Sequence, residues 1–332
     1  MVQLLGLVLT SFILTSLLLV PFIDLLFFLK RRKKNITPLS NTPIHNILLE
    51  GKDLETPVGG GLLIIPIVLI LTVVVLTLTS SLDKQLYPLL FALVSFGGIG
   101  FLDDIRKMFS VFSGKYSGMK TRYILLLQII FATAIASILY SYLGFNNIFV
   151  PLFGNVVLGA WYIPLAAFII ISFANAFNFS DGLDGLSTGL LAICLFAFLV
   201  LAHSVFNQTL GVFVGIWIGA LIAYLYFNVF PARVYLGDAG AFAFGATLAV
   251  VGLLTGKVIG LAVIGGMYIV IAASSLLQIL SKRFLKRKLL PVAPIHMYFK
   301  YIGWEEPKIV MRFWLAGSIF AILGLWLALL SH

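Results

Sequence analysis

The chain has 332 residues, 61% of them hydrophobic and only 10% charged, with a mean hydropathy of +1.12 and a formal net charge of +10. A water-soluble fold needs far more polar surface, so the composition places the chain in a bilayer and excludes a soluble domain. The positive charge calls for no nucleic-acid partner, because it falls almost wholly in loops on one side of the membrane.

The apolar segments are roughly 17–25 residues long, which suits helical spans and not the ~10-residue strands of a barrel. In chain order they cover about 3–29, 58–80, 86–102, 123–143, 157–174, 186–205, 210–229, 240–256, 258–281 and 309–330. The expected fold is an all-α integral membrane protein of about ten transmembrane helices, one polytopic domain over residues 1–332, in the plasma (inner) membrane. The basic run KRRKK (30–34) follows the first span instead of preceding it, so that span reads as an uncleaved anchor with the N-terminus outside. Ten spans return the C-terminus to the outside. With that topology every Lys and Arg except Lys84 and Lys257 lies inside. All the acids except Asp24 and Asp83 lie there too, which puts the active site on the cytoplasmic face. Cys194, the lone cysteine, sits mid-span as a packing residue and rules out a disulfide framework.

The outside connections are short, apart from GFNNIFVPLFGNV (144–156), whose Gly and Asn turns around β-prone runs predict a small hairpin. On the inside, KRFLKRKLLPVAPIHMYFK (282–300) reads either as span nine continuing as a helix along the anionic surface or as a plain positive-inside anchor.

Four inside segments carry the chemistry. GGIGFLDDIRK (97–107) ends span three with adjacent Asp103 and Asp104, a repelling pair that wants a cation; a helix end facing water, with Arg106 and Lys107 against its dipole, is the alternative. NAFNFSDGLDGL (175–186) repeats Asn175, Asn178, Asp181 and Asp184 every third residue, with no Lys or Arg between Arg122 and Arg233. That spacing puts the four on roughly one face, and Gly182 and Gly185 strip the neighbouring positions for close approach; turn-forming and capping residues are the simpler reading. FNVFPARVYLGDAGA (227–241) sets Asp238 between Gly237 and Gly240, with Asn228, Arg233 and Tyr235 nearby. The fourth set is ETPVGGG (55–61), a glycine run whose backbone N–H groups could face an anion, and the loop holding His296, which by itself is structural as readily as catalytic. Hard carboxylate and amide oxygens without a Cys or His cluster suit Mg²⁺. Together with scattered Lys and Arg they describe a phosphate site, most naturally for phosphoryl transfer, with a lipid among the substrates.

At these residues the chain resembles the polyprenyl-phosphate N-acetylhexosamine-1-phosphate transferases, and most closely their phospho-N-acetylmuramoyl-pentapeptide transferase (MraY) branch. The resemblance runs through TPVGGG (56–61), GFLDD (100–104), NAFNFSDGLDGL (175–186), FNVFPARVYLGDAGA (227–241) and EPKIVMRFW (306–314), in the family's order. It implies ten spans and an Mg²⁺-dependent reaction in which a polyprenyl (undecaprenyl) phosphate attacks a UDP-sugar, releasing UMP and leaving a lipid I-type product for the cell wall. It also implies roles. Asp238 is the first metal ligand, joined by Asp181 and Asn178, while Asp103 and Asp104 position the metal or activate the lipid phosphate. Gly182, Asp184 and Asn228 help hold the nucleotide, Tyr235 stacks on uracil, Lys52 meets phosphate and His296 meets the donor. A homodimer is left open.

The chain departs from the pattern in places. The family's run of three histidines is here His296 followed by Met297 and Tyr298. TPVGGG replaces TPTMGG, Ala241 stands for a serine, Ile124 falls where a lysine is usual, and Lys52 lies one residue farther than usual from Thr56. No carboxylate is lost, so the departures bear on the donor sugar, and a UDP-GlcNAc or other UDP-HexNAc transferase is the alternative. An ion-coupled transporter would carry its acids near mid-span, whereas these sit at span ends.

Overall fold

The computed structural model describes residues 2–31, 56–112, 118–151, 153–204 and 207–330. Ten of its helices are long and apolar enough to cross a membrane. In chain order the helices are α1 (Val2–Arg31), α2 (Gly60–Leu78), α3 (Leu86–Phe112), α4 (Thr121–Ser137), α5 (Tyr162–Ser180), α6 (Leu186–Ser204), α7 (Gln208–Asn228), α8 (Gly237–Leu254), α9 (Val258–Ile264), α10 (Gly266–Phe284), α11 (Ile295–Tyr301) and α12 (Glu306–Leu329). The protein is a multi-pass membrane protein with almost no sheet.

Helix α8 is the axis of the bundle, buried from Ala239 to Leu254 without interruption. A helix that is apolar on every side belongs at the centre, with other helices packed all round it. Lipid gives little hydrophobic drive between helices, so contact depends on small residues that let backbones approach. Gly240 of α8 faces Gly61 of α2, where an added Cβ would lie 2.5 Å from the Gly240 Cα. Gly245 meets α5, with an added Cβ 2.4 Å from the Phe173 carbonyl oxygen. Gly100 of α3 abuts the first turn of α8, where a Cβ would fall 2.1 Å from the Asp238 carbonyl oxygen. At the periphery, α1 and α12 turn Leu9, Leu17, Ile319 and Ile322 outward, as lipid contact requires.

The structure alters several expectations. Helix α3 does not end at the aspartate pair but carries Asp103 and Asp104 within it and runs on to Phe112. Span nine is two helices broken at Gly265, where the Phe173 ring leaves no room for a side chain (an added Cβ would be 2.4 Å away). Hydropathy is continuous across that break, so the pattern could not reveal it. Helix α10 also stops at Phe284 instead of continuing along the surface. Its Gln278 Oε1 accepts the Leu289 and Leu290 N–H groups at 3.0 and 2.9 Å, and Ser281 Oγ donates to the Arg287 carbonyl at 2.8 Å, folding the basic segment back.

The expected hairpin is present. Strands β1 (Asn147–Val150) and β2 (Gly154–Val157) pair antiparallel, with Asn147 opposite Val157 and Val150 opposite Gly154, whose φ of +77° favours glycine at the turn. Lys84 and Lys257 lie at this end of the bundle, each over an aromatic ring, Tyr142 at 5.0 Å and Phe149 at 4.6 Å. The aspartates gather at the opposite end.

The approach at Gly100 has a measurable consequence. Gly100→Ala must push α3 from α8, and overpacking of this kind costs about 1–3 kcal/mol. Gly98→Ala, where an added Cβ meets nothing within 4 Å, is the control. Thermal unfolding in detergent should show a lower midpoint for the first variant and none for the second; equal midpoints would refute the close approach.

Candidate active site

The first half of the site is built where α3 passes the N-terminus of α8. The opening N–H groups of a helix have no intrahelical acceptor, and at membrane depth water does not reliably supply one. Asp104 supplies it. Its Oδ1 accepts the Asp238 N–H at 3.2 Å and its Oδ2 accepts the Ala239 N–H at 3.0 Å. Gly237, at φ +83°, lets the chain turn into α8 against that carboxylate, since an added Cβ would lie 2.9 Å from Asp104 Oδ2.

Asp103 points elsewhere. Its Oδ1 accepts the Met119 N–H at 2.5 Å, and its Oδ2 lies 2.9 Å from the Lys107 ammonium, one helical turn on. The same ammonium is bonded to Asp238 Oδ2. The adjacent aspartates therefore divide their tasks, one capping a helix and the other sharing a cation with Asp238. The cation expected for the pair is Lys107, at the i,i+4 spacing at which opposite charges meet on a helix.

The second half is the turn between α5 and α6. Asn178 is half-buried in the last turn of α5, and Asp181 follows its end, with Oδ1 accepting from Ser187 Oγ at 2.5 Å. Gly185 takes φ +75°, which favours glycine there. Asp184 is buried. Its N–H donates to Glu306 Oε1 at 2.7 Å, and its Oδ2 accepts the Ala232 N–H at 2.9 Å. Asn228 is buried beside it, donating to the Val234 carbonyl at 3.0 Å and accepting from Thr188 Oγ1 at 2.8 Å. The four residues at three-residue spacing do not serve one face. Asn175 turns away to donate to Gln128 Oε1 of α4 at 2.8 Å.

The loops complete the site. His296 of α11 is fully buried against Gly182, where an added Cβ would lie 2.8 Å from His296 Nε2 and 3.7 Å from Met297 Sδ. Tyr235 is half-buried, and its backbone stitches two segments, donating to the Pro57 carbonyl and accepting the Gly59 and Gly60 N–H groups, each at 2.9 Å. This corrects the reading of the glycine run as an anion cradle. Gly61 N–H donates to the Leu236 carbonyl at 2.9 Å, so all three glycine N–H groups are engaged within the protein. Those glycines serve packing, Gly61 against Gly240 and Gly60 against the Tyr224 ring. Lys52 lies outside the described residues.

Asp103, Asp104 and Asp238 thus form one cluster, and Asp181, Gly182, Asp184, Asn228 and His296 a second wall. Among the described residues no three His, Cys, Asp or Glu converge as a complete metal cage. Two carboxylates do converge on one cationic position, now held by the Lys107 ammonium. That donor set fits a hard ion such as Mg²⁺, which usually takes one or two carboxylates and completes its shell with water and substrate phosphates. Sequence reasoning mentioned Lys107 without assigning it to the site, although its spacing from Asp103 was legible. Glu306 opens the EPKIVMRFW segment but has no role assigned from sequence, and a Glu in GWEEPK carries no signal that it will be buried.

Removing the cap on α8 should cost stability. Asp104→Ala is expected to lose about 0.5–2 kcal/mol, the usual range for a helix cap, whereas Asp104→Asn keeps one of the two acceptor oxygens and should lose less. Thermal unfolding of the two variants tests this, and equal losses would remove the capping role.

Comparison with known proteins bears on the same residues. The profile of glycosyl transferase family 4 matches residues 86–256, which include the aspartate pair, the α5–α6 turn and the start of α8. A phospho-N-acetylmuramoyl-pentapeptide-transferase of Bacillus velezensis is 33% identical over 316 residues, 95% of this chain and 94% of that protein. One of a Geobacillus species is 32% identical over 322 residues, 96% of each. One of Bacillus subtilis is 32% identical over 275 residues, 82% of this chain and 83% of its own length. The profile match and these nearly full-length relatives show that this membrane protein is a transferase belonging to glycosyl transferase family 4, in its phospho-N-acetylmuramoyl-pentapeptide-transferase branch.

Proposed function

We propose that the chain transfers phospho-N-acetylmuramoyl-pentapeptide from its UDP-linked form to a polyprenyl phosphate, with Mg²⁺ as the metal, at the inner face of the membrane. The observation that carries this reading is the convergence of Asp103 and Asp238 on a single cation at one end of the bundle. A phosphate oxygen of the lipid attacks the β-phosphorus of the donor. The new P–O bond forms as the bond from that phosphorus to the bridging oxygen breaks, and UMP leaves with the electron pair.

Asp238 and Asp103 would hold the metal, with Asn178 and Asp181 beside it and the diphosphate. When bound, Mg²⁺ supplies positive charge that neutralises the diphosphate and stabilises the leaving UMP. Asp104, with both oxygens accepting N–H groups, orients Asp238, and Asp103, which shares the Lys107 ammonium with Asp238, is the member of the pair assigned to the metal. Lys107 keeps the two carboxylates compensated and gives up its position as the substrates arrive. Asp184 and Asn228 frame the nucleotide pocket, Tyr235 offers its ring to uracil, and Lys52 reaches phosphate.

A lipid acceptor is supported by a lateral groove of about 520 Å³ between α5, α9 and α10, with an almost wholly apolar lining that includes Phe168, Phe179, Leu261 and Leu276. It opens on the side of the bundle, where an acyl or prenyl chain can enter without crossing water. The inner-face placement rests on charge, since in the sequence all the basic residues but Lys84 and Lys257 fall in the inside connections or the span ends that flank them. A second donor reading, UDP-GlcNAc or another UDP-HexNAc, draws on Met297 beside Gly182, where a bare thioether replaces a polar ring.

The deciding experiment is UMP release by purified protein supplied with undecaprenyl phosphate, Mg²⁺ and either UDP-N-acetylmuramoyl-pentapeptide or UDP-GlcNAc. Release with the first donor is expected; release with neither from folded protein would sink the reading. Asp238→Asn should lower turnover by at least ~10²-fold, the scale on which a preorganised electrostatic contact is lost. Its thermal midpoint should stay near that of the wild type.

A further inference from the structure

The α11–α12 corner holds the α5–α6 turn from behind. Glu306, the first residue of α12, is 5% exposed, and Lys300 of α11 is 8% exposed. Their side chains pair at 2.6 Å through Glu306 Oε2. The other carboxylate oxygen, Oε1, accepts the Asp184 N–H at 2.7 Å. Asp184 in turn accepts the Ala232 N–H, and Ala232 gives its carbonyl to Thr56 Oγ1 at 3.0 Å. One buried carboxylate therefore ties α11 and α12 to the turn, and the turn passes the link to the loop before α8 and the loop before α2.

Energetics point to positioning as the purpose. A buried ion pair is seldom a net source of stability, because desolvating both charges cancels most of their attraction. Here Glu306 gives one oxygen to the Lys300 ammonium and the other to a backbone N–H in the turn that carries Asp181 and Gly182. We propose that Glu306 is a positioning residue for the donor, acting through the Asp184 N–H to preorganise the α5–α6 turn, with Lys300 held on its other carboxylate oxygen. The proposal rests on the transfer reading for the identity of the donor. A looser turn must be ordered when the donor binds, so the loss falls on binding common to ground and transition states; KM rises while kcat holds.

Two double variants isolate the acceptor. Lys300→Met with Glu306→Gln removes both charges and keeps an oxygen for the Asp184 N–H. Lys300→Met with Glu306→Ala removes the charges and the oxygen. Hydrogen exchange over residues 181–186 should be about tenfold faster in the second, and its KM for UDP-N-acetylmuramoyl-pentapeptide about tenfold higher, matching the loss of one charge-free hydrogen bond. Its kcat should stay within about twofold of the first. Equal exchange in the two would overturn the clamp. Faster exchange with equal KM would overturn its role toward the donor. Faster exchange in a protein whose wild type releases no UMP would leave the clamp standing and remove the transfer reading instead. Should the doubles fail to accumulate, Glu306→Asp keeps the charge opposite Lys300 but draws the acceptor back by one methylene. Against wild type it should show the same two increases, and unchanged exchange would again overturn the clamp.

Discussion

The site depends on one contact between backbones, the passage of Gly100 in α3 against the first turn of α8. Any side chain at that position would hold the helices apart. With none, the residue one turn further along α3 reaches the N–H groups that open α8, and Asp104 accepts two of them. A helix beginning inside a membrane bundle must have such an acceptor. Once Asp104 provides it, the start of α8 is fixed in position, and Asp238 is carried to where Asp103 and Lys107 meet it. The same small-residue logic, Gly61 against Gly240 and Gly245 against Phe173, keeps α8 at the centre with α2 and α5 beside it.

Carboxylates gathered in so apolar a protein need compensation, and the chain uses cations close to hand. Lys107 serves Asp103 and Asp238 from the same helix as Asp103, and Lys300 serves Glu306 from the adjoining short helix. Asp184 is satisfied differently, by the Ala232 N–H. The division separates acids that hold backbone N–H groups from acids that share a cation. Asp104 and Glu306 hold the backbone N–H groups of α8 and of the α5–α6 turn, whereas Asp103 and Asp238 share the Lys107 ammonium.

Much of the fold was legible because one property, length of apolar run, governs both sequence and structure in a bilayer. Hydropathy located the spans, and Gly and Asn turns located the hairpin at 147–157. What hydropathy could not show was anything that leaves it unchanged. The break at Gly265 lies between equally apolar residues, and the run of α3 past Asp104 uses residues that suit a helix or a loop alike. Asp181 and Asp184 stand out by their isolation from basic residues, Asp103 and Asp104 by their adjacency and Asp238 by its flanking glycines, but the sequence does not show their partners. The three-residue spacing of Asn175, Asn178, Asp181 and Asp184 suggested a shared face, yet α5 ends at Ser180, so the last two sit on a turn with a different direction. The glycine run before α2 was read for its N–H groups because sequence cannot say whether a neighbouring strand of chain already accepts them, as Tyr235 and Leu236 do.

The corner between the α5–α6 turn and α11 follows from the same geometry. Gly182 lies between Asp181 and the buried His296, so whatever binds along the α5–α6 turn comes within reach of α11. His296 is fixed there by burial, but Met297 and Tyr298 follow it on a helix of only seven residues and are half-buried. A thioether and a phenol offer fewer polar contacts than two imidazoles would, which leaves His296 and the shape of the turn as the fixed features of this corner. Shape is then the property worth holding rigid. The buried Lys300–Glu306 pair does this from the far side of the same corner, which links the departure at 297–298 to the clamp on Asp184 through a single short helix.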